Sequence, residues 1–331
     1  MTRAVVALVI ATLTLAQPTP ALAYLKFGFR IADRTIDVKW PNGAVPYFVN
    51  DRDIPGVSAN AFRAAVARAA ATWEAVPGTT LHFEFQGATS APPGGLDGRN
   101  TLGFLDRPDL DRVLGSTSLL VDSATGTLVE ADIFFNTRFQ WSAGDPGTAG
   151  LVDLESVVLH ELGHLVGLGH SAIGETEQTA SGGRRVLGSG AVMFPIALTS
   201  GSVADRVLQR DDVAGVLDLY GTDDGRRETG GIKGRVTLGG RGVFGAHVVA
   251  FNLATGSLVG GFTLGEDGGF VLAGLEPGPH VIRVEPLDDA DVESFLSGPV
   301  EVDFRVGYAS TLVVAPRGGT SGDVVVTVEP K

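Results

Sequence analysis

Three of the six histidines in this chain fall within eleven consecutive residues, His160-Glu161-Leu162-Gly163-His164-Leu165-Val166-Gly167-Leu168-Gly169-His170. In a helix, positions i and i+4 share a face, so His160 and His164 can aim at one ion. Glu161 is next in sequence but rotated, which places its carboxylate beside the ion rather than on it. Gly167 is a natural stop, because glycine accepts the left-handed conformation that ends helices. The bend there returns His170 as a third nitrogen. Three neutral imidazoles leave one tetrahedral position for water, the arrangement of a catalytic zinc. Zinc lowers the pKa of such a water from about 15.7 to about 7. Glu161 can then act as general base while the water attacks a peptide carbonyl, and deliver the proton to the leaving amine. A purely structural zinc is the rival reading, weakened because nothing nearby fills the fourth position.

Those groups need a scaffold. Asp153 is a good N-cap residue for a helix over Leu154–Val166. Upstream, Val45–Val49 reads as a strand. An Ala-rich helix follows over Ala59–Trp73, with Phe62, Val66, Ala69, Ala70 and Trp73 at helical spacing. Pro77-Gly78 stops it, and Leu81–Phe85 alternates as a strand does. Ala91–Gly98 is a Pro/Gly-rich loop, and two further strands, Ser116–Val121 and Glu130–Asn136, flank a turn at Asp122–Gly126. Another helix is expected at Asp211–Leu219, and Thr222–Gly230 reads as a linker. Beyond Gly231 the texture changes to short strands (Ile232–Leu238, Ala246–Asn252, Leu258–Leu264, Phe270–Leu272, His280–Glu285) separated by Gly, Asp and Pro turns. That pattern fits a small β-sandwich. Asp323–Val328 is either a last strand or a frayed tail.

The bulk numbers agree with two domains in 331 residues. A net charge of -13 argues against nucleic acid, since nothing would neutralise a run of phosphates. Residues 1–23 read as an export signal: Arg3, the apolar run Ala4–Ala16, and Ala21-Leu22-Ala23 as cleavage site. That run is too short for a bilayer core, and no later stretch is apolar for long enough. Cysteine is absent, which excludes disulfides and a thiolate ligand. The combination fits a bacterial protein delivered to the periplasm, the cell surface or the medium.

At these residues the chain resembles the metzincin metallopeptidases, and within them the matrixin family of matrix metalloproteinase-like enzymes. The likeness rests on the zinc motif, on Ser171 directly after the third His, on Ala191-Val192-Met193-Phe194-Pro195, and on Arg210-Asp211-Asp212-Val213-Ala214-Gly215-Val216-Leu217-Asp218-Leu219-Tyr220-Gly221. It covers roughly Lys39–Gly221. The resemblance implies an α+β catalytic domain, a twisted mixed sheet packed on helices, followed here by a small all-β sandwich. It implies a secreted zinc-dependent endopeptidase acting on extended peptides of protein substrates. It makes Met193 the Met-turn residue under the metal. Gly115, Ser116, Thr117 and Ser118 become the edge strand that pairs with substrate, and Pro195, Ile196 and Ala197 the outer wall of the specificity pocket. Without Cys, the thiolate latency of animal matrixins cannot operate. No His cluster supports the family's second, structural zinc, and Ile173–Gly190 reads as a polar insertion, with Gly182-Gly183-Arg184-Arg185, that could reshape the pocket mouth or offer a cleavage site.

Calcium on Asp122, Glu130 and Asp132 is a second cofactor reading, set against ordinary solvated carboxylates. Gly234-Arg235-Val236, Gly245-Ala246-His247-Val248, Gly265–Phe270 and Gly274–Gly278 resemble the carboxypeptidase regulatory-like, transthyretin-type sandwich, placed at residues 231–315 with 316–331 as tail or last strand. His247 and His280 read as half-buried strand residues rather than ligands. The sandwich is either a stabilising appendage or a module for a surface, glycan or protein partner. The alternative function is therefore an exported adhesion or scaffold protein with little turnover. A monomer is expected.

Overall fold

The computed structural model describes residues 6–8, 26–31, 34–195, 201–288, 296 and 299–331. Of the expected signal, only the backbone of Val6–Leu8 falls among them. Contacts divide the chain into two units, one built chiefly on Ile36–Gly167 and the other on the segment beginning at Leu168 together with Gln209–Lys331. No helix among the described residues is long and apolar enough to cross a membrane.

The first unit is a six-stranded mixed sheet with two helices. Across the sheet the strands run Val6–Leu8, Gly115–Asp122, Thr127–Asn136, Thr101–Leu105, Ala44–Asn50, His82–Thr89. Gly115–Asp122 is antiparallel to both neighbours, and the remaining pairings are parallel. Helix α1 (Ala59–Glu74) starts at Ser58, whose hydroxyl accepts from Ala61 N. It buries Phe62, Ala65, Val66, Ala69, Ala70 and Trp73, the stripe that its periodicity requires. Helix α2 (Leu154–Leu165) packs against it, and small alanines permit that approach. Phe62, Phe104, Phe135 and Trp141 pack edge-to-face or tilted, with centroids 4.8 to 6.1 Å apart. The strand Thr101–Leu105 was not among the expected elements.

The second unit holds helix α3 (Arg210–Tyr220), helix α4 (Asp223–Glu228), two larger sheets and a two-stranded hairpin among its described residues. Helix α4 occupies the segment expected as a linker. Thr222 caps it by accepting from Gly225 N, with acids in its first turn and arginines in its last. One sheet pairs Gly230–Leu238 with Gly269–Leu275 and Arg241–Gly242, and takes Thr320–Val328 as a parallel partner. The tail after 316 thus contributes a strand. The other sheet runs Leu258–Phe262, His247–Asn252, Gly278–Glu285, with Gly307–Tyr308 and Val313–Ala315 on Gly278–Glu285.

The stretch read as a polar insertion is a hairpin, Gly174–Gln178 with Arg184–Ser189. Arg184, part of the suggested cleavage site, is buried: its Nη1 donates to Glu285 Oε1 at 2.8 Å and to Ala172 O at 3.2 Å. A cleavage site there would be inaccessible. Ala172 packs with Phe262, Leu287 and Leu296, and Ile173 with Ala191 and Val249. Asp211 and Asp212 of α3 are buried. Asp211 accepts from Ser171 Oγ (2.5 Å) and Gly260 N (2.7 Å), and Asp212 from Val192 N (2.9 Å) and Met193 N (3.0 Å). His247 and His280 are fully rather than half buried. His247 Nδ1 lies 2.9 Å from Glu285 Oε1, so it belongs to the Arg184 network.

Candidate active site

The site is built on α2. Asp153 caps its start, accepting from Ser156 N at 2.9 Å. Arg206 holds Asp153 through two contacts, at 2.6 and 2.9 Å, while Arg68 holds Glu155 at 2.6 Å. Further along, two buried indoles donate to main-chain carbonyls: Trp73 Nε1 to Leu159 O at 2.9 Å and Trp40 Nε1 to Leu165 O at 2.8 Å. Leu165 is the last helical residue, and carbonyls of a final turn lack partners within the helix. The helix ends where Gly167 adopts φ 101°, with Gly167 N donating to His164 O at 2.9 Å.

One face of α2 buries Leu154, Val158, Leu159, Leu162 and Leu165 against the unit's interior. His160 and His164 lie off that face, part-exposed, with ring centroids 4.7 Å apart and planes nearly perpendicular at 88°. Within the continuous segment His160–His170, one nitrogen from each of the three imidazoles lies within 4.8 Å of the others. Among the described residues this is the only cluster of three or more His, Cys, Asp or Glu groups with metal-holding spacing. The donor set of three neutral nitrogens and no thiolate suits zinc.

Glu161 is buried, at 4% exposed. Burial pushes its carboxyl up to about 7, and the Thr117 hydroxyl, which donates to Oε2 at 2.6 Å, works against that rise. Thr117 belongs to the strand expected to receive substrate. Gly115–Asp122 pairs with Thr127–Asn136 along one edge. On its other edge Val6–Leu8 reaches only Leu119–Val121, so Gly115, Ser116, Thr117 and Ser118 have no partner strand there among the described residues. Gly115 and Thr117 share the face turned to Glu161, and Ser116 and Ser118 occupy the opposite one by the two-residue strand period.

In the second unit, Met193 is buried, and its carbonyl accepts from Ser171 N at 2.8 Å. Pro195 is part-buried. Ile196 and Ala197 lie outside the described residues. Two of the calcium candidates, Glu130 and Asp132, are buried rather than solvated carboxylates. Glu130 accepts from Asp97 N and Gly98 N, and Asp132 from Gly94 N and Thr101 N, clamping the Pro/Gly-rich loop. Asp122 lies apart in its turn, accepting from Ala124 N. Residue spacing gave no sign of the Thr117 contact or the indole donors. The one local signal for Thr117 was its place two residues from Gly115 on an edge strand.

Residues 39–177 match the family model described as Matrixin. The chain therefore carries a matrixin domain that includes His160, Glu161, His164 and His170. A 71-residue stretch is 41% identical to Metalloendoproteinase 5-MMP of Arabidopsis thaliana, covering 22% of this chain and 15% of that protein. Over 109 residues it is 38% identical to Metalloendoproteinase 1-MMP of the same plant, covering 30% and 25%. Over 186 residues it is 28% identical to Stromelysin-1 of Rattus norvegicus, covering 55% and 33%. The chain thus spans a third or less of the length of these relatives.

Proposed function

We propose that this chain is a secreted zinc endopeptidase that hydrolyses peptide bonds of extended protein substrates. The observation that carries the proposal is the His160–His170 segment, with three imidazole nitrogens within 4.8 Å of one another and a buried carboxylate next in sequence to the first. His160, His164 and His170 would hold the ion, which when bound supplies Lewis acidity to a substrate carbonyl and acidifies water. Glu161 accepts a proton at its carboxylate and returns it to the departing amine. A carboxyl poised at about 7 gains and loses that proton near neutrality with little penalty. Gly115–Ser118 would bind substrate through main-chain pairing, as an added antiparallel strand. By likeness to matrixins, Met193 takes the floor position and Pro195, Ile196 and Ala197 the outer pocket wall. The reading also includes export by residues 1–23, a catalytic region at 39–221, and a transthyretin-type sandwich at 231–315.

The test is casein hydrolysis by purified protein, with and without a chelator, beside metal analysis and Glu161→Ala. The expected result is about one zinc per chain. Activity should be lost to the chelator and restored by zinc, and Glu161→Ala should lower the rate ~10²- to 10⁴-fold while keeping the metal. Activity surviving in Glu161→Ala, or folded protein that neither contains nor accepts a stoichiometric transition ion, would overturn the proposal.

A further inference from the structure

We propose that Thr117 is a positioning residue for Glu161: its hydroxyl ties one carboxylate oxygen, leaving the other to take the proton. This rests on the endopeptidase reading and adds a residue to its machinery.

Three observations carry the inference. First, Thr117 Oγ1 lies 2.6 Å from Glu161 Oε2, a short separation of the kind made to an ionised acceptor, and 3.2 Å from the Glu161 carbonyl oxygen. Second, the other oxygen, Oε1, faces Gly115. A Cβ built at that glycine would stand 3.0 Å from Oε1 and 3.2 Å from Glu161 Cγ. Gly115 therefore leaves the room that Oε1 occupies, and the strand shapes both oxygens differently within two residues. Third, the donor stands on a strand hydrogen-bonded along its inner edge. Thr117 is paired with Ile133 and Gly115 with Phe135, both of which are fully buried.

A glutamate has three rotatable bonds, and a desolvated carboxylate with no donor would sample several positions, most of them unproductive. The threonine selects one of them. The same backbone stretch that would pair with the peptide thereby also sets the base, so substrate register and base position share one reference frame. A hydrogen bond to a charged group is of the size that alters a rate by about 10- to 100-fold.

The experiment uses full-length holoenzyme, Thr117→Val as the near-isosteric loss of the hydroxyl and Thr117→Ser as its restoration. In Thr117→Val, kcat on a peptide substrate is expected to fall about 10- to 100-fold, with KM and chelator-competition zinc affinity within about two-fold of wild type. Thr117→Ser should recover most of kcat. A second readout does not need turnover: the ¹³C resonance of the Glu161 carboxyl, assigned with Glu161→Gln, should move in Thr117→Val and return in Thr117→Ser. Unchanged kcat in Thr117→Val, a KM effect alone, failure of the serine to rescue, or an unmoved carboxyl resonance would each overturn the inference. Wild-type protein without chelator-sensitive hydrolysis would instead sink the endopeptidase reading, with the resonance still deciding the contact.

Discussion

Trp40→Phe probes how the histidine-bearing helix α2 is finished. Trp40 is 5% exposed and its indole N–H satisfies the Leu165 carbonyl at 2.8 Å. Phenylalanine keeps a ring but has no donor. The lost hydrogen bond is worth about 1 kcal/mol, and stranding a buried carbonyl adds roughly 1–3 kcal/mol if water cannot reach it. The smaller ring forfeits about 1 kcal/mol of burial. These contributions overlap, so a total near 2–4 kcal/mol is expected, a substantial part of the ~5–15 kcal/mol that holds a domain together. At roughly 2–4 °C per kcal/mol for a unit of this size, Tm should drop by about 4–15 °C. Thermal unfolding followed by circular dichroism gives the total, and hydrogen exchange at Val166 and Gly167 shows whether the loss is centred on the helix end. A loss under ~0.5 kcal/mol with unaltered protection of those amides would refute the idea that this indole completes the final turn.

Two other perturbations separate the remaining contributions. Arg206→Gln removes the charged partner of buried Asp153, which keeps only its Ser156 donors, and should destabilise by about 2–4 kcal/mol; urea unfolding that shows less than about 1 kcal/mol would mean the pair is dispensable. His247 is pushed down to about 4, mainly by burial, with the neighbouring Glu285 opposing. A basic group depressed below its unfolded value near 6.5 contributes stability that is full above that pH and is lost as pH falls towards 4. Wild type should therefore lose more Tm between pH 7 and pH 4.5 than His247→Asn does. Asp211, pushed up to about 7 by burial, acts in the opposite sense but is common to both proteins. Parallel Tm-versus-pH curves would dismiss the role of His247.

What could be read beforehand was what local patterns encode. Helix α2 announced itself by Asp153 at its cap, i/i+4 histidines and a closing glycine, all within fifteen residues, and its observed start follows Asp153. Helix α1 came from periodicity, and it and the helix expected at Asp211–Leu219 fall within a residue or so of their observed ends. The misses depend on distant partners. Arg184 looked like a surface arginine because its burial needs Glu285, 101 residues away. His247 looked half-exposed because strand alternation says nothing of what covers the other face. Thr101–Leu105 is short and flanked by loop-forming residues, and only its parallel neighbours make it a strand. Thr117 was assigned to substrate by the resemblance to matrixins, while its hydroxyl reaches a glutamate 44 residues on.

The twin acids that open α3 bear on how this polypeptide can be divided. Asp212 grips the turn around Met193, while Asp211 joins Ser171, next to the third histidine, to the main chain of a C-terminal strand at Gly260. Ala172 and Ile173 complete cores made largely from that same C-terminal half. A gene fragment stopping near residue 221 would strip the cover from both side chains and leave Asp211 without one of its two donors. The C-terminal strands are thus less a detachable passenger than part of the mould in which the loop after His170 is cast.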